Sequence, residues 1–249
     1  MDNQDTIVSS GNGNPAIRGV GVNRGVEWLV GGFRLFAKAP GPWLLAALAL
    51  LIGSWILGKF WLLGSALSTA FGIVFTGAMM RACQSLENGQ EFTAGLQQAA
   101  TSAPLLILGA IGAGLGFALG LVLAVFGLGA VGVGIAMSSP GAVGGMIGVG
   151  FLVMLVMGFV LGAALWLAPA LVVLKGVNPI DAIRLSLMAT LRNIGPYLIF
   201  ALLALIACIL GALPMGLGLL VVFPALICAS YLAYKDIFTT TEAVSYTAE

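Results

Sequence analysis

The chain has 249 residues, of which 60% are hydrophobic and only 8% are charged, and its formal net charge is +1. Soluble domains contain about 45–50% apolar and about 25% charged residues, so a water-soluble core could not bury this much apolar surface. The near-neutral charge excludes a basic surface for nucleic acid, and the absence of histidine leaves no cluster suited to a metal. The composition therefore predicts an integral membrane protein.

The N-terminal part divides into a polar tail and a short helix. Residues 1–23 are rich in Asn, Asp, Gly and Ser and lack a basic segment followed by an apolar core, which predicts a disordered tail and excludes an ordinary signal peptide. Residues 24–39 have one broad apolar face, with Trp28 off its centre and suited to the headgroup layer. The narrow charged face holds Arg24, Glu27, Arg34 and Lys38. We expect an amphipathic helix lying flat at the membrane surface; the alternative is a helix packed on another domain.

The first predicted hairpin follows a proline break. Residues 43–58 form an outward span, Lys59 lies in the turn, and residues 60–80 return. The outward span is near the short end of the roughly 17–25 residues that a membrane helix needs. A polar interval follows, and residues 92–103 predict a second short amphipathic helix, with a weaker pattern than the first.

The middle hairpin is unusually long. Residues 105–137 and 141–174 are apolar almost throughout, and each would extend about 45–50 Å as a straight helix, against a hydrocarbon core of about 30 Å. They must tilt strongly, project from the membrane or break, and the density of glycine favours a break within residues 127–134. A small residue at every fourth position predicts close helix packing, with self-association of the chain as one outcome. These residues are Gly112, Gly116 and Gly120.

The third short helix has the clearest boundaries. Asn178 is a suitable N-cap for a helix that begins at Pro179, and Asp181 lies in its first turn, where the helix dipole favours an anion. Apolar residues recur at helical spacing on one face, at Ile180, Ile183, Leu187, Leu191 and Ile194. The other side holds Asp181, Ser186, Arg192 and Asn193, with Leu185 as an exception. The final hairpin follows as residues 197–213 and 217–234.

The basic residues indicate an orientation. Nine of the ten lie in the tail, the short helices or the span ends on one side, and only Lys59 lies on the other. The positive-inside rule then places both termini in the cytoplasm. The sequence predicts an all-α polytopic protein of the bacterial inner membrane, with six transmembrane helices in three hairpins (about 43–80, 105–174 and 197–234). Each hairpin follows a short interfacial amphipathic helix within one membrane domain of residues 24–238, and residues 239–249 form a polar cytoplasmic tail.

The three units of short helix, proline break, outward span and return span look like an internal repeat. Short motifs within them can be aligned, and the three units would be parallel, related by an axis along the membrane normal. The alternative is chance similarity between apolar segments. The aligned motifs are Phe33-Arg34-Leu35-Phe36, Gly95-Leu96-Gln97-Gln98 and Ile183-Arg184-Leu185-Ser186.

Two resemblances rest on local motifs. Val26-Glu27-Trp28, Gly32-Phe33-Arg34-Leu35-Phe36 and the closing segment from Ser230 to Phe238 resemble an uncharacterised family of proteobacterial six-span membrane proteins. The segment from Pro169 through Asp181 to Ser186 is similar to the membrane domain attached to some glycerophosphodiester phosphodiesterases. Neither resemblance implies an activity, because none is attached to these motifs and the phosphodiesterase catalytic domain has no counterpart in this chain.

No residue pattern predicts an enzyme or a cofactor site. The closest acidic pair, Glu87 and Glu91, is of the kind usually found in solvated loops, and serine nucleophiles lack a base. No ionisable residue falls at mid-depth of a span, which disfavours ion-coupled transport. A transporter or channel for a small neutral or amphiphilic solute stays open as the alternative function.

Basic residues of the short helices are the candidate binding residues. At headgroup depth each cation contributes about 1 kcal/mol of attraction to anionic lipid; the alternative is charge that only sets topology. The candidates are Arg24, Arg34, Lys38, Arg184 and Arg192. We therefore predict a non-enzymatic inner-membrane protein that organises or binds lipids or partner membrane proteins.

Overall fold

The computed structural model describes residues 15–100, 102–137 and 140–238. These residues include six helices that are long and apolar enough to cross a membrane. They are Pro40–Leu57, Gly64–Glu87, Ala103–Gly129, Ile147–Lys175, Ile194–Ala212 and Leu219–Phe238. The predicted all-α fold with six spans is confirmed, and the chain is a multi-pass membrane protein.

The described residues form ten helices, and the fourth apolar segment is divided between two of them. The bounds are α1 Arg24–Ala37, α2 Pro40–Leu57, α3 Trp61–Glu87, α4 Phe92–Ala100, α5 Ala103–Met137, α6 Pro140–Trp166, α7 Ala168–Lys175, α8 Pro179–Arg192, α9 Ile194–Ala212 and α10 Leu219–Phe238. A short helix precedes each hairpin, as predicted: α1 precedes α2 and α3, α4 precedes α5 and α6, and α8 precedes α9 and α10.

The short helices α4 and α8 fold back on the span that precedes them. In α4, Gly95 lies directly over Ala82 of α3, and Gln98 accepts a hydrogen bond of 3.1 Å from Nε of Arg81. In α8, the Ser186 hydroxyl donates a hydrogen bond of 2.8 Å to the carbonyl of Ala163 near the end of α6. Each of these helices therefore covers the last turns of a returning span.

Helix α1 packs in the same way against the last span, α10. Arg24 contacts Asp236, while Gly32 lies over Ala225 and Ala229. Because the partner numbers fall as the α1 numbers rise, the two helices run antiparallel. The prediction of a helix lying flat on the membrane thus differs from the structure, in which α1 runs lengthwise along a spanning helix.

Trp28 is buried inside the protein, whereas the sequence pattern predicted that it would face the headgroup layer. Its ring centroid is 5.9 Å from that of Trp166 and 6.4 Å from that of Phe200, and only 3% of the residue is exposed. The lack of a side chain at Gly32 lets the backbones of α1 and α10 approach closely. That close contact determines which face of α1 turns inward, and Trp28 is on it.

The middle hairpin breaks at a different place from the one predicted. Helix α5 continues unbroken for 35 residues through 127–134, so the glycine-rich break is wrong. In a bilayer each backbone group needs a partner within the protein, and an unbroken helix supplies one even at glycine. The helix direction is interrupted instead at Leu167, where Pro169 cannot donate to the carbonyl four residues earlier. The hydroxyl of Ser186 accepts a 3.0 Å hydrogen bond from the Leu167 N–H at this break.

The predicted glycine motif is used partly within the chain. A Cβ at Gly112 would collide with the side chain of Ile73 in α3, so this glycine serves the contact between α3 and α5. Gly116 lies within ordinary contact distance of Thr69, and Gly120 has no neighbour within 4 Å. Self-association through the remaining open position stays a prediction.

Candidate functional site at the charged end of the bundle

Charged side chains meet at one end of the bundle, which we call the charged end. It is formed by the start of α1, the ends of α3 and α10, and the chain preceding α1. Its residues are Arg18, Arg24, Glu27, Glu87, Lys235 and Asp236. The opposite end, at the turn between α2 and α3, holds Lys59, whose ammonium lies 4.5 Å from the ring centroid of Trp55.

Asp236 joins α1 to α10. Its carboxylate accepts hydrogen bonds of 2.7 and 2.6 Å from the Arg24 guanidinium and one of 3.0 Å from the indole N–H of Trp28. Arg24 also pairs with Glu27 one turn along α1. The hydrogen bond to Asp236 raises the pKa of Arg24 above its ordinary value, although burial opposes the shift. The Arg24 charge is therefore held mainly by partners within the protein.

Glu87 ties the end of α3 to α10. Its carboxylate accepts hydrogen bonds of 2.7 Å from both the Tyr231 hydroxyl and the Lys235 ammonium. One turn deeper, the buried Cys83 and Cys228 are free thiols whose sulfur atoms lie 3.6 Å apart. The close contact between α3 and α10 thus continues inward from the charged pair.

The chain preceding α1 also packs at the charged end. Ile17 is buried, the Arg18 N–H donates to the carbonyl of Ile237 at 3.0 Å, and the Val20 N–H donates to the side chain of Asn193 at 2.8 Å. These residues were predicted to belong to a disordered tail of residues 1–23. Residues 15–23 instead connect the α8–α9 junction to the end of α10, while residues 1–14 and 239–249 lie outside the described residues.

A cavity of about 310 Å³ opens between this segment, α1 and α10. Its walls carry charges of both signs, and Trp28 and Leu232 supply apolar surface. The basic residues in the walls are Arg18, Arg24 and Lys235, and the acidic ones are Glu27 and Asp236. Such a mixed lining can accommodate a polar headgroup but has no strong excess of either charge.

The five predicted binding residues fall into two groups. Arg34 and Lys38 are exposed near the end of α1, and Arg184 is exposed on α8, with 73% of its side chain accessible and Asp181 at 3.8 Å. Arg24 is held by Asp236 and Glu27. Arg192 is partly buried, lies close to Gly19 and has an interaction partner. Of the five, Arg34, Lys38 and Arg184 are therefore the cations most open to the surroundings.

The same outward faces carry exposed apolar side chains. On α1, Val26 and Val30 precede Arg34 at four-residue spacing, and all three are exposed. On α8, Arg184 lies between Ile180 and Met188 at the same spacing. Each helix thus has an outward stripe in which an arginine adjoins exposed aliphatic side chains.

The face of α8 that packs against the protein is not the apolar face identified from the sequence. Part of the face predicted to be apolar, namely Ile180, Leu191 and Ile194, is exposed. The other side packs on the protein, and most of its buried residues are small or polar. The buried residues are Ala182, Ser186, Ala189, Thr190 and Asn193, together with Leu185. Within a membrane this inversion is physically reasonable, because apolar residues can face lipid while polar groups find partners inside.

The order of buried and exposed residues is shared by two of the three short helices in the proposed repeat. Residues 30–36 and 180–186, which the motif alignment places together, follow the same order of exposed, intermediate, buried, intermediate, exposed, buried and buried. The corresponding residues 92–98 follow a different order. The first and third short helices are thus alike in orientation at this register, and α4 is not.

Sequence reasoning missed the roles of Asp236 and Trp28, although one signal was present. An acidic residue in the last turn of a helix is unfavourable next to the helix dipole, so Asp236 should have a cationic or hydrogen-bonding partner. No local pattern identifies that partner, because Arg24 lies more than 200 residues earlier.

Comparison with known proteins adds no relative. No family model, curated protein or solved structure matches the chain. The two resemblances drawn from local motifs therefore stay predictions. Across residues 15–100, 102–137 and 140–238, no group of three or more His, Cys, Asp or Glu side chains could hold a metal ion.

Proposed function

We propose that this protein is a non-enzymatic inner-membrane protein that binds anionic phospholipids through exposed basic residues of its short helices α1 and α8 and thereby organises lipids or partner membrane proteins around it. In this proposal the charged end faces the cytoplasm, as the positive-inside rule predicts. The headgroup contacts come chiefly from Arg34, Lys38 and Arg184.

The observation that carries the proposal is the pair of outward stripes on α1 and α8. Arginine has a long aliphatic stem that can lie on apolar surface while its charged group reaches the phosphate layer. Arg34 beside Val30, and Arg184 between Ile180 and Met188, have the neighbours that such a geometry needs. A cation serving only to set topology needs no particular neighbours.

Arg24 has a different role in this proposal. Because its guanidinium is paired with Asp236 and Glu27, it holds α1 in place and contributes less to lipid binding. Arg192, which also has a partner in the protein, is expected to contribute less than Arg184 for the same reason.

The alternative of a transporter or channel requires a polar path towards mid-membrane. The cavity of about 270 Å³ between α2, α3 and α10 is lined by residues from the interior of α2 and α3, but its lining is almost wholly apolar. It includes Leu50, Leu51, Leu220 and Phe223, with Ser54 as the main polar residue. This lining supports a dry bundle and favours the lipid-binding proposal.

The test is lipid binding by the purified protein, counted by native mass spectrometry during titration with phosphatidylglycerol or phosphatidylethanolamine. We expect the variant Arg34→Gln/Lys38→Gln/Arg184→Gln to bind phosphatidylglycerol more weakly, by about fivefold for each neutralised charge that contacts a bound lipid. Binding of phosphatidylethanolamine should change little. The single variants Arg24→Gln and Arg192→Gln should have smaller effects.

Lys59→Gln is the matched control, because it removes one positive charge from the opposite end. It should leave phosphatidylglycerol binding through Arg34, Lys38 and Arg184 unchanged. Unaltered binding by the triple variant, or an equal loss in Lys59→Gln, would refute the proposal.

A further inference from the structure

A second cavity, of about 340 Å³, lies where α6 and α9 face each other beside α3 and α10. We call it the aromatic cleft, and its main lining residues are Met80, Gly162, Trp166, Tyr197, Phe200 and Ser230. Trp166 forms one wall, with its ring centroid 4.8 Å from that of Tyr197 and 5.5 Å from that of the stacked Phe200. None of the five predicted binding residues lines it.

Most polar groups of the cleft already have partners. The Trp166 indole N–H donates to the Ser230 hydroxyl at 2.9 Å, and that hydroxyl donates to the carbonyl of Leu226, also at 2.9 Å. The Thr76 hydroxyl donates to the carbonyl of Gly72 at 2.8 Å. The Tyr197 hydroxyl differs, since in the part of the chain that the structure describes no hydrogen bond involves it. It lies 3.7 Å from the position that a Cβ of Gly162 would occupy.

The cleft is open to the surface of the protein. Leu198 and Leu202 of α9 and Val160 of α6 are exposed apolar residues close in sequence to its lining residues. Tyr197 lies in the first turn of α9, next to the charged end. In the proposed orientation, with the charged end among the headgroups, this turn lies at the boundary between headgroups and hydrocarbon, where the ester groups of glycerolipids lie. In such surroundings an unpaired hydroxyl is unfavourable, and a ligand that offers an oxygen acceptor relieves the cost.

We propose that the aromatic cleft binds one glycerophospholipid, with the Tyr197 hydroxyl donating a hydrogen bond to an ester carbonyl and the acyl chain lying across Trp166 and Phe200. The inference rests on the proposed lipid-binding function, but it uses a different part of the lipid and a different set of residues. Recognition of the lipid in this cleft depends on its ester group and its acyl chain, and not on the charge of its headgroup.

The hydrogen bond can be tested with lipids that differ only in that acceptor. Native mass spectrometry would compare diacyl phosphatidylethanolamine with its diether analogue, in which the ester carbonyls are absent. We expect the wild-type protein to bind the diacyl lipid about two- to tenfold more tightly, the range that corresponds to one neutral hydrogen bond. Tyr197→Phe should bind both lipids equally. Equal binding of both lipids by the wild type, or a preference that persists in Tyr197→Phe, would overturn the inference.

The position of the lipid's acyl chain can be tested by filling the cleft with a larger side chain. Gly162→Leu projects a side chain towards Tyr197, whereas Gly158→Leu, one turn earlier on α6, enters open space. With a phosphatidylethanolamine carrying a diazirine in its acyl chain, wild-type protein and Gly158→Leu should show cross-links to the α6 and α9 peptides around Trp166 and Phe200. These cross-links should fall severalfold in Gly162→Leu. Equal cross-linking in the two glycine variants would contradict the proposal.

The two lipid proposals can fail separately. If Arg34→Gln/Lys38→Gln/Arg184→Gln loses phosphatidylglycerol but keeps the ester preference, both hold. If that variant binds phosphatidylglycerol normally while the wild-type protein still prefers the diacyl lipid, the proposed binding through Arg34, Lys38 and Arg184 fails. The proposed binding in the aromatic cleft then still holds. Circular dichroism and elution as a single species establish that each variant is folded. Should Gly162→Leu fail this check, the comparison of Tyr197→Phe with the wild type decides the inference.

Discussion

The charged end of the bundle and the opposite half of its spans are stabilised by different surroundings. Near the charged end the side chains are packed tightly, with Trp43, Met80, Leu105 and Leu171 fully buried. Further from that end many large residues are exposed, among them Leu128 of α5, Leu152 of α6 and Leu210 of α9. The apolar exposure of the second region is a cost in water but not in lipid, so the spans there need few partners from the protein. Among the described residues, the short helices α1, α4 and α8 add a second layer of contacts over the ends of returning spans.

Four glycines illustrate the contrast. Gly32 and Gly95, in the short helices α1 and α4, allow backbones to meet closely, while Gly127 and Gly148 in the middle hairpin have open space around them. Gly32 and Gly95 are therefore packing residues. At Gly127 or Gly148 an added Cβ would meet no protein atom within 4 Å.

The largest effect is expected from Gly32→Leu. A side chain at this position would overlap the Ala225 carbonyl and lie within 2.7 Å of the Ala229 Cβ, so α1 would have to move away from α10. We expect a loss of about 3 kcal/mol in the free energy of unfolding, measured by titration with dodecyl sulfate in mixed micelles. Gly148→Leu, in the other region, should change the free energy of unfolding by less than about 0.5 kcal/mol. Equal effects would abolish the contrast between the regions.

Ser186→Ala should have the next largest effect. The substitution leaves the buried Leu167 N–H without its acceptor at the break between α6 and α7, which costs about 1–3 kcal/mol. The same titration measures it. Thr69→Ala is the matched control, because the Thr69 hydroxyl bonds only to the Ser65 carbonyl of its own helix. If both variants unfold at the wild-type midpoint, α8 does not support the break.

Asp236→Ala should have a smaller effect, of about 1 kcal/mol. It removes the acceptor of Arg24 and Trp28, but Arg24 is nearly half exposed and can be solvated. Asp181→Ala, which removes only an exposed contact of 3.8 Å to Arg184, should be nearly neutral. A double-mutant cycle between Arg24→Gln and Asp236→Ala would measure their coupling energy. A value near zero would show that the pair does not hold α1 on α10.

The spans and the cap of α8 could be predicted because both depend on local sequence. Hydropathy sums over neighbouring residues, and all six spans were found in this way. Asn178 accepts a 3.1 Å hydrogen bond from the N–H of Ile180, as its position before Pro179 predicts. The three hairpins follow from the same pattern of apolar runs and polar intervals.

The orientation of the short helices could not be predicted, because it depends on partners far away in the chain. Trp28 turns inward because Gly32 fits between Ala225 and Ala229, and neither α1 nor α10 alone indicates this pairing. The break at Leu167 was missed for a related reason. Glycine density pointed to residues 127–134, whereas the backbone is interrupted where Pro169 removes a donor and a distant serine supplies an acceptor. The candidate cations Arg24 and Arg34 lie in similar local sequence patterns, so the sequence does not distinguish their roles. The position of Asp236 does, because Asp236 pairs with Arg24 and leaves Arg34 exposed.

The most direct test of the orientation is labelling of Arg184→Cys and Lys59→Cys in intact cells with a maleimide that cannot cross the inner membrane. The variants are built in a background in which Cys83, Cys208 and Cys228 are replaced by alanine. We expect Lys59→Cys to be labelled from outside and Arg184→Cys to be labelled only after the membrane is permeabilised. Labelling of Arg184→Cys in intact cells, with protection of Lys59→Cys, would contradict a charged end at the cytoplasmic headgroup layer.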